Sequence, residues 1–259
     1  MIEAIESDAP AVTWGVGLFE TMLVVGRRVP FLADHHRRMS VSANWLGFPA
    51  PDRENFARVV RDAIAAVADE EAGVRCSWLA TDPDLDDENS WRLAARARPL
   101  PNTVLARRGR GRVTILESDL VRTVPNHKTT SYLASILGLR RAMASGADEG
   151  LFVDEQGGIL EGTMTNIFAV RENLLITPST DRILPGITRQ WVIDHAGEVG
   201  LDVDLRALTC ADLLGGSFMT SSLTGLAPVR AVDGRPAREP FEAFEMLKRE
   251  FHEAVGLPP

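Results

Sequence analysis

The sequence predicts a mixed α/β (α+β) chain of two lobes, a smaller N-terminal lobe over residues 1–121 and a larger C-terminal lobe over 122–259. Three observations predict it. Strand-length stretches occur in both halves, stretches with apolar residues at helical spacing lie between them, and the pattern changes near residues 117–124. Before that point strands and helices are mixed; after it an amphipathic helix leads a series of short strands.

In chain order, Leu18 to Val25, the turn Gly26-Arg27-Arg28 and Val29-Pro30-Phe31-Leu32 read as a hairpin. Asp34 is expected to cap a helix that runs through Ala43-Asn44-Trp45-Leu46 and stops at Gly47. A second helix is expected from Asp52 to Asp69, because Phe56, Val59, Val60, Ile64 and Val67 recur at helical spacing. Val74 to Thr81 and Trp91 to Ala97 read as strands, and acidic Asp82 to Glu88 between them as a surface loop. Pro99-Leu100-Pro101 and the basic run Arg107, Arg108, Arg110, Arg112 lead into a strand at Val113 to Leu116. Tyr132 to Ala144 is an amphipathic helix stopped at Gly146. Strands follow at 150–154, 165–170 and 174–177, a helix at 188–199, a strand at 201–208, a short helix at 211–214 and a strand at 217–220. Phe241 to Glu250 is again amphipathic and helical, and no internal repeat interrupts the series.

Composition narrows the function. A hydrophobic share of 45% and a charged share of 25% suit a soluble globular enzyme, and a net charge of −8 speaks against nucleic acid or anionic lipid as partner. The acidic start Met1-Ile2-Glu3-Ala4-Ile5-Glu6 is not a secretory signal, and no apolar run is long enough for a membrane span, so a cytoplasmic location and a small-molecule partner are expected. Cys76 and Cys210 stand far apart with no CxxC or His/Cys cluster, which indicates neither a disulfide framework nor a metal site. Of 28 basic residues only Lys128 and Lys248 are lysines. Where arginine fills nearly every cationic role, a lysine can mark a place that needs a primary amine, since a guanidinium forms no imine. Lys248 lies on the amphipathic C-terminal helix; Lys128 lies in Val124-Pro125-Asn126-His127-Lys128-Thr129-Thr130-Ser131-Tyr132.

Four segments stand in order along nearly the whole chain. They are Gly15-Val16-Gly17-Leu18-Phe19-Glu20-Thr21 with His35-His36-Arg37-Arg38-Met39; Lys128 followed by Tyr132; Glu161-Gly162-Thr163-Met164-Thr165-Asn166-Ile167-Phe168; and Leu184-Pro185-Gly186-Ile187-Thr188-Arg189 joined to Thr220-Ser221-Ser222-Leu223. Together they resemble the class IV aminotransferase and aminodeoxychorismate lyase family of fold type IV. The resemblance implies pyridoxal 5′-phosphate (PLP) as cofactor and a homodimer. It also implies that Lys128 forms the imine with the cofactor and then serves as general base, and that Glu161 faces the pyridine nitrogen.

The resemblance further gives Leu184 a place against the ring face, and Gly186-Ile187-Thr188, Arg38 and Ser222 the phosphate. Arg38 is preferred to Arg37 because it lies three residues after His35. Each assignment has a physical basis. A loop entering a helix offers unpaired N–H groups and a positive dipole end to a phosphate, and a carboxylate keeps a pyridine nitrogen protonated. For Tyr132, the chain's one tyrosine, both a site role and a core role stay open.

Within the family, the Lys128 to Tyr132 spacing, the Gly-Leu-Phe-Glu-Thr string and Ser221-Ser222-Leu223 look most like 4-amino-4-deoxychorismate lyases, which form p-aminobenzoate and pyruvate for folate synthesis. Branched-chain aminotransferases typically carry one more residue before the tyrosine, and D-amino-acid aminotransferases an arginine carboxylate trap about where Ala80 stands. An aminotransferase acting on branched-chain or D-amino acids is the alternative, and a non-catalytic binding relative a third reading. Two departures from the lyase pattern are Thr224, where lyase-like members often have arginine, and a shortened strand ahead of Gly17-Leu18-Phe19. The arginines at 107–112 read either as contacts for a dicarboxylate substrate or as a solvated or interface loop.

Overall fold

The computed structural model describes residues 5–109, 111–115, 120–239 and 242–258. The chain divides into two units, Met1–Leu100 with His127–Ser131, and Pro101–Asn126 with Tyr132–Pro259.

The first unit contains α1 (Pro10–Thr13), β1 (Gly17–Val25), α2 (Leu32–Trp45), α3 (Arg53–Ala65), β2 (Glu71–Ala80) and β3 (Trp91–Pro99). The strands form an antiparallel sheet in the order β1-β2-β3. Alternation along β2 buries Ala72, Val74, Cys76, Trp78 and Ala80 on one face, where they meet Leu18, Met22 and Val24 of β1, Met39 and Ala43 of α2, and Phe56, Val60 and Ile64 of α3. Side chains of this kind contribute about 1.5–3 kcal/mol each when fully buried, which is what binds the helices to the sheet. The expected strand at 29–32 does not form. Val25 and Arg28 exchange backbone hydrogen bonds (2.9 and 3.0 Å), after which Pro30 has no N–H to offer and Phe31 turns left-handed at φ 58°. β1 therefore pairs with β2 instead.

The helix starts also differ in detail. α2 begins at Leu32, so Asp34 is not its cap but a first-turn acid that pairs with Arg37. Gly47, at φ 76°, does stop it. Asp52 caps α3 through the Asn55 N–H (2.7 Å), yet the helix ends at Ala65, ahead of the expected Asp69. The acids Asp69, Glu70 and Glu71 oppose the negative helix end, and Glu71 already belongs to β2. The acidic segment after β2 is exposed, as expected, with a single 3₁₀ turn at Glu88–Ser90.

The second unit contains α4 (Asn102–Gly109), β4 (Gly111–Ile115), α5 (Leu133–Ala144), β5 (Glu149–Val153), β6 (Ile159–Gly162), β7 (Asn166–Arg171), β8 (Leu174–Thr177), α6 (Ile187–His195), β9 (Asp202–Leu205), α7 (Cys210–Gly215), β10 (Ser217–Ser221), β11 (Gly225–Val232), β12 (Arg235–Pro236) and α8 (Glu242–Val255). Its sheet runs β6-β5-β4-β11-β10-β7-β8-β9, with β12 beside β11; β4 pairs in parallel with β5 and β11, and β8 with β9. The sheet curls until its ends meet, because Ile159 of β6 and Leu208 beyond β9 exchange hydrogen bonds of 2.8 and 3.0 Å. Leu151, Ile159, Ile167, Ile176, Met219 and Val229 fill the core between them. On the opposite face Phe168 stacks on Phe218 at 5.0 Å, and Phe244 of α8 packs on Phe218.

Residues 107–109, expected in a loop, lie on α4, and Arg112 lies in β4, where it pairs with Asp148. Arg110, the Leu116 end of the expected strand, and Phe241 lie outside the described residues. The helix expected from Thr188 to Val199 starts at Ile187 and passes into a 3₁₀ turn at Ala196–Val199; the strand expected through Leu208 stops at Leu205. Arg206 N–H still donates to the Thr177 carbonyl of β8 (3.0 Å), while its guanidinium pairs with Asp212.

Candidate active site

In the first unit, residues 127–131 lie beside the start of β1, where Leu18 and Thr129 form an antiparallel bridge. Phe19 N–H donates to the Lys128 carbonyl (3.0 Å) and Thr130 N–H to the Gly17 carbonyl (2.9 Å), so the lysine backbone is fixed by the sheet. The half-buried Lys128 side chain places Nζ 4.6 Å from the centre of the Phe19 ring, which also carries the Arg75 guanidinium at 3.6 Å. His127, just before it, stacks on Trp45 at 4.4 Å and shares a hydrogen bond with Ser42 (3.1 Å).

The other face of β1 carries a buried charge cluster. Glu20 accepts from Arg38 Nε (2.8 Å) and Nη2 (2.5 Å) and from His35 Nδ1 (2.6 Å). Burial pushes the Glu20 carboxyl upward, but the charges and hydrogen bonds of Arg38 and His35 outweigh it and bring its pKa down to about 2. Burial lowers the pKa of His35 despite Glu20, so the ring is neutral and its Nδ1–H is the donor; Arg38 and Lys128 both act on it electrostatically. Arg38 is 11% exposed on its side chain and Arg37 74%, with Arg38 paired to Glu20 and Arg37 to Asp34. Cys76 faces Glu20 across the sheet, and burial pushes its thiol up to about 12, which excludes it as a nucleophile.

A test follows from the sign of these shifts. Glu20 and His35 both bind protons less readily in the folded chain, so the stability they contribute is full at neutral pH. It is lost first as His35 is forced to charge below its ordinary 6.5, then as pH falls from 4.5 towards 2 and Glu20 is protonated. Glu20→Gln is expected to cost about 3–5 kcal/mol at pH 7, because it leaves Arg38 buried without its anion. It should also flatten the acid side of the stability curve. Thermal melts of both proteins from pH 3 to 8 check both effects.

In the second unit Glu161, 3% exposed, sits at β6. Its Oε2 accepts from Leu184 N–H (3.0 Å) and Asn166 Nδ2 (3.3 Å), and its Oε1 from Arg122 Nη1. Asn166 Nδ2 also donates to the Leu184 carbonyl (3.0 Å), so one side chain fixes both the carboxylate and the half-buried leucine expected on the ring face. Gly186 caps α6 in extended conformation with no side-chain cap on the helix N-terminus. A Cβ there would lie 2.0 Å from Asn166 Oδ1, so glycine alone lets the loop approach this closely.

Ile187 and Thr188 open α6 with N–H groups that have no intrahelical acceptor. Buried nearby in sequence, Arg189 donates from Nη2 to the Pro178 carbonyl (2.7 Å), while its Nε has no partner among the described residues; burial lowers its pKa to about 10. The buried Thr220 hydroxyl is likewise without a partner among them, and Thr220 stands opposite Asn166 in the sheet. An uncapped helix start, a close backbone approach and orphaned buried donors are what a phosphate dianion needs, and the residues fit PLP.

The remaining expected residues have these places. Ser222 is half-buried in the turn between β10 and β11, a turn held by Arg108, whose Nε and Nη2 donate to the Leu223 carbonyl (3.3 and 3.0 Å). Thr224 serves that turn too, its hydroxyl 2.7 Å from Ser221 Oγ. Tyr132 caps α5, its hydroxyl donating to the Thr163 carbonyl (3.1 Å), and burial raises its pKa. Ala80 is fully buried in the sheet core. Arg38 and Lys128 thus belong to the first unit, and Glu161, Leu184, Ile187, Thr188 and Ser222 to the second. Reading the sequence missed Arg122 and Asn166 as partners of Glu161, and no periodicity or motif around Arg122 signals it.

The sequence pattern of the family "Amino-transferase class IV" matches residues 17–232. The bifunctional aminodeoxychorismate lyase / D-amino acid transaminase of Mycobacterium tuberculosis is 31% identical over 254 residues, covering 89% of this chain and 86% of that protein. A solved structure described as a hypothetical aminotransferase from M. tuberculosis, in its PLP-bound form, superposes with a TM-score of 0.85 at 28% identity, over 98% of this chain and 94% of that one. The branched-chain aminotransferase of Thermoproteus uzoniensis, solved with norvaline, gives 0.86 at 25% identity over 98% and 91%. Sequence, fold and a cradle suited to a phosphorylated cofactor agree: the chain belongs to the amino-transferase class IV family of fold type IV enzymes and uses pyridoxal 5′-phosphate.

Proposed function

We propose that this enzyme is a lyase that converts 4-amino-4-deoxychorismate to p-aminobenzoate and pyruvate. The observation that carries the reading is the Lys128-Thr129-Thr130-Ser131-Tyr132 spacing, together with 31% identity to a relative named for that activity. Ser221-Ser222-Leu223 and the buried alanine at position 80 support it.

When bound, PLP supplies an aldehyde for the substrate amine and a protonated ring that accepts electron density from the breaking bond. Lys128 would be the covalent anchor of the cofactor, and its Nζ, once free, would be the base that takes the proton from the carbon bearing the amine. Loss of that proton and of the enolpyruvyl group leaves an aromatic ring, and the released enol takes up a proton to become pyruvate. No oxidant or acceptor enters the balance. Glu161 would hold the proton on the ring nitrogen, Leu184 would pack on the ring, and Arg38, the Ile187 and Thr188 N–H groups and Ser222 would hold the phosphate.

The protein is further proposed to act as a cytoplasmic homodimer. Leu133, Ile136, Leu137 and Met143 give α5 an exposed apolar side (69, 43, 40 and 58% exposed), Cys76 and Cys210 are free thiols, and no described helix is long and apolar enough to cross a membrane. A second reading, transamination, is favoured by the other activity in the relative's name and by the likeness to a branched-chain aminotransferase.

Supplying aminodeoxychorismate with no keto acid separates the two. The lyase releases p-aminobenzoate and pyruvate in equal amounts at a steady rate. A transaminase stalls after one turnover per site, because it needs a second substrate to restore its cofactor. Absence of p-aminobenzoate, together with steady amino transfer from a branched-chain or D-amino acid to a keto acid, would overturn the lyase reading.

A further inference from the structure

The geometry points to Arg122 as a positioning residue that sets the charge around Glu161 and, through it, the protonation of the bound cofactor. This rests on the reading that Glu161 faces the ring nitrogen. Three contacts carry it. Arg122 Nη1 pairs with Glu161 Oε1, so that, with Leu184 N–H and Asn166 on Oε2, both oxygens of the carboxylate are fixed. Arg122 Nη2 donates to the Pro125 carbonyl (2.7 Å), tying the same guanidinium to the backbone three residues before Lys128. Its Cζ lies 6.0 Å from the Tyr132 ring centre, where its charge opposes the upward push that burial gives the Tyr132 hydroxyl.

The pair is nearly dry, with side chains 10% and 4% exposed, so the charge acts at low dielectric. Other charged groups near it include Arg189, which interacts with Glu161, and Glu149, which acts on Tyr132. Arg122 and Glu161 also line a cavity of about 190 Å³ with Asp154, Glu155, Asp181 and Arg182, two of which, Arg182 and Asp154, pair with each other. A single cation therefore pairs with the carboxylate, lies 6.0 Å from the tyrosine ring centre and is tied to the Pro125 backbone. Arginine suits this place because its planar fork reaches two acceptors at once, which an ammonium does not.

The test is a spectrophotometric pH titration of the PLP-loaded protein and its variants. Arg122→Ala is expected to raise the pKa of the cofactor absorption by about one unit, because a nearby cation no longer disfavours the protonated form. Glu161→Gln is expected to lower it. The cavity beside Arg122 should admit methylguanidinium, and tens of millimolar of it should return the Arg122→Ala titration towards the parent value where equal potassium chloride does not. Should Arg122→Ala not fold, Arg122→Gln keeps a donor without the charge and should shift in the same direction. If Glu161→Gln shifts the titration but neither Arg122 variant does, Arg122 is only structural and the proposal fails. If Glu161→Gln itself leaves the titration in place, the assignment of Glu161 to the ring nitrogen is what fails.

Discussion

Lys128→Ala is expected to reduce turnover below detection and to abolish the visible absorption of the lysine-bound cofactor, while the fold survives. The first part follows from chemistry: the only other lysine, Lys248, lies on α8 in the second unit, and no arginine can replace a primary amine as covalent holder and base. The second follows from packing. Lys128 is anchored through its backbone carbonyl to Phe19, a contact that alanine keeps, and its side chain is only half-buried. Absorption spectra and circular dichroism of the variant with added PLP check both. A variant that still turns over would move the chemistry to another amine.

The second large effect is expected at Glu161. Glu161→Gln should slow proton removal by roughly 30- to 150-fold, equivalent to about 2–3 kcal/mol, if the carboxylate contributes one charged hydrogen bond that strengthens as negative charge develops on the ring. PLP affinity should change little, because the contacts proposed for the phosphate (Arg38, the Ile187 and Thr188 N–H groups and Ser222) do not include Glu161. The Leu184 N–H can still be accepted by the amide oxygen, so the loop stays in place. Single-turnover rates and fluorescence titrations with PLP separate the two quantities. An unchanged rate at unchanged affinity would place Glu161 away from the pyridine nitrogen.

Elements with strong periodicity were legible in the sequence. β2, β3 and α5 fall within a few residues of their expected bounds, because alternation or helical spacing alone determines which face is buried. What escaped has identifiable causes. β11 contains Pro228, which argues against a strand in sequence, yet it lies in a strand whose pairing with β4 shifts register just beyond it. β6 spans only Ile159–Gly162 and owes its place to neighbours distant in sequence. α4 was obscured by its run of arginines, one of which, Arg108, holds the turn that contains Ser222.

The candidate site residues that lie in compact motifs, Lys128, Glu161, Gly186 and Thr188 among them, were proposed from resemblance. Their partners were not. Glu20 and Arg38 meet because α2 packs on the face of β1 that carries Glu20, and Arg122 meets Glu161 because the loop before Lys128 passes β6. Such pairings depend on tertiary packing, which a local pattern does not encode.

The central claim, that Lys128 is the residue joined to the cofactor, is tested most directly by reducing the PLP-loaded protein with borohydride, digesting it and sequencing the fluorescent peptide. The account predicts a pyridoxyl group on Lys128, in the peptide that contains Val124-Pro125-Asn126-His127, and none on Lys248. A label on Lys248, or none on either lysine, would contradict it.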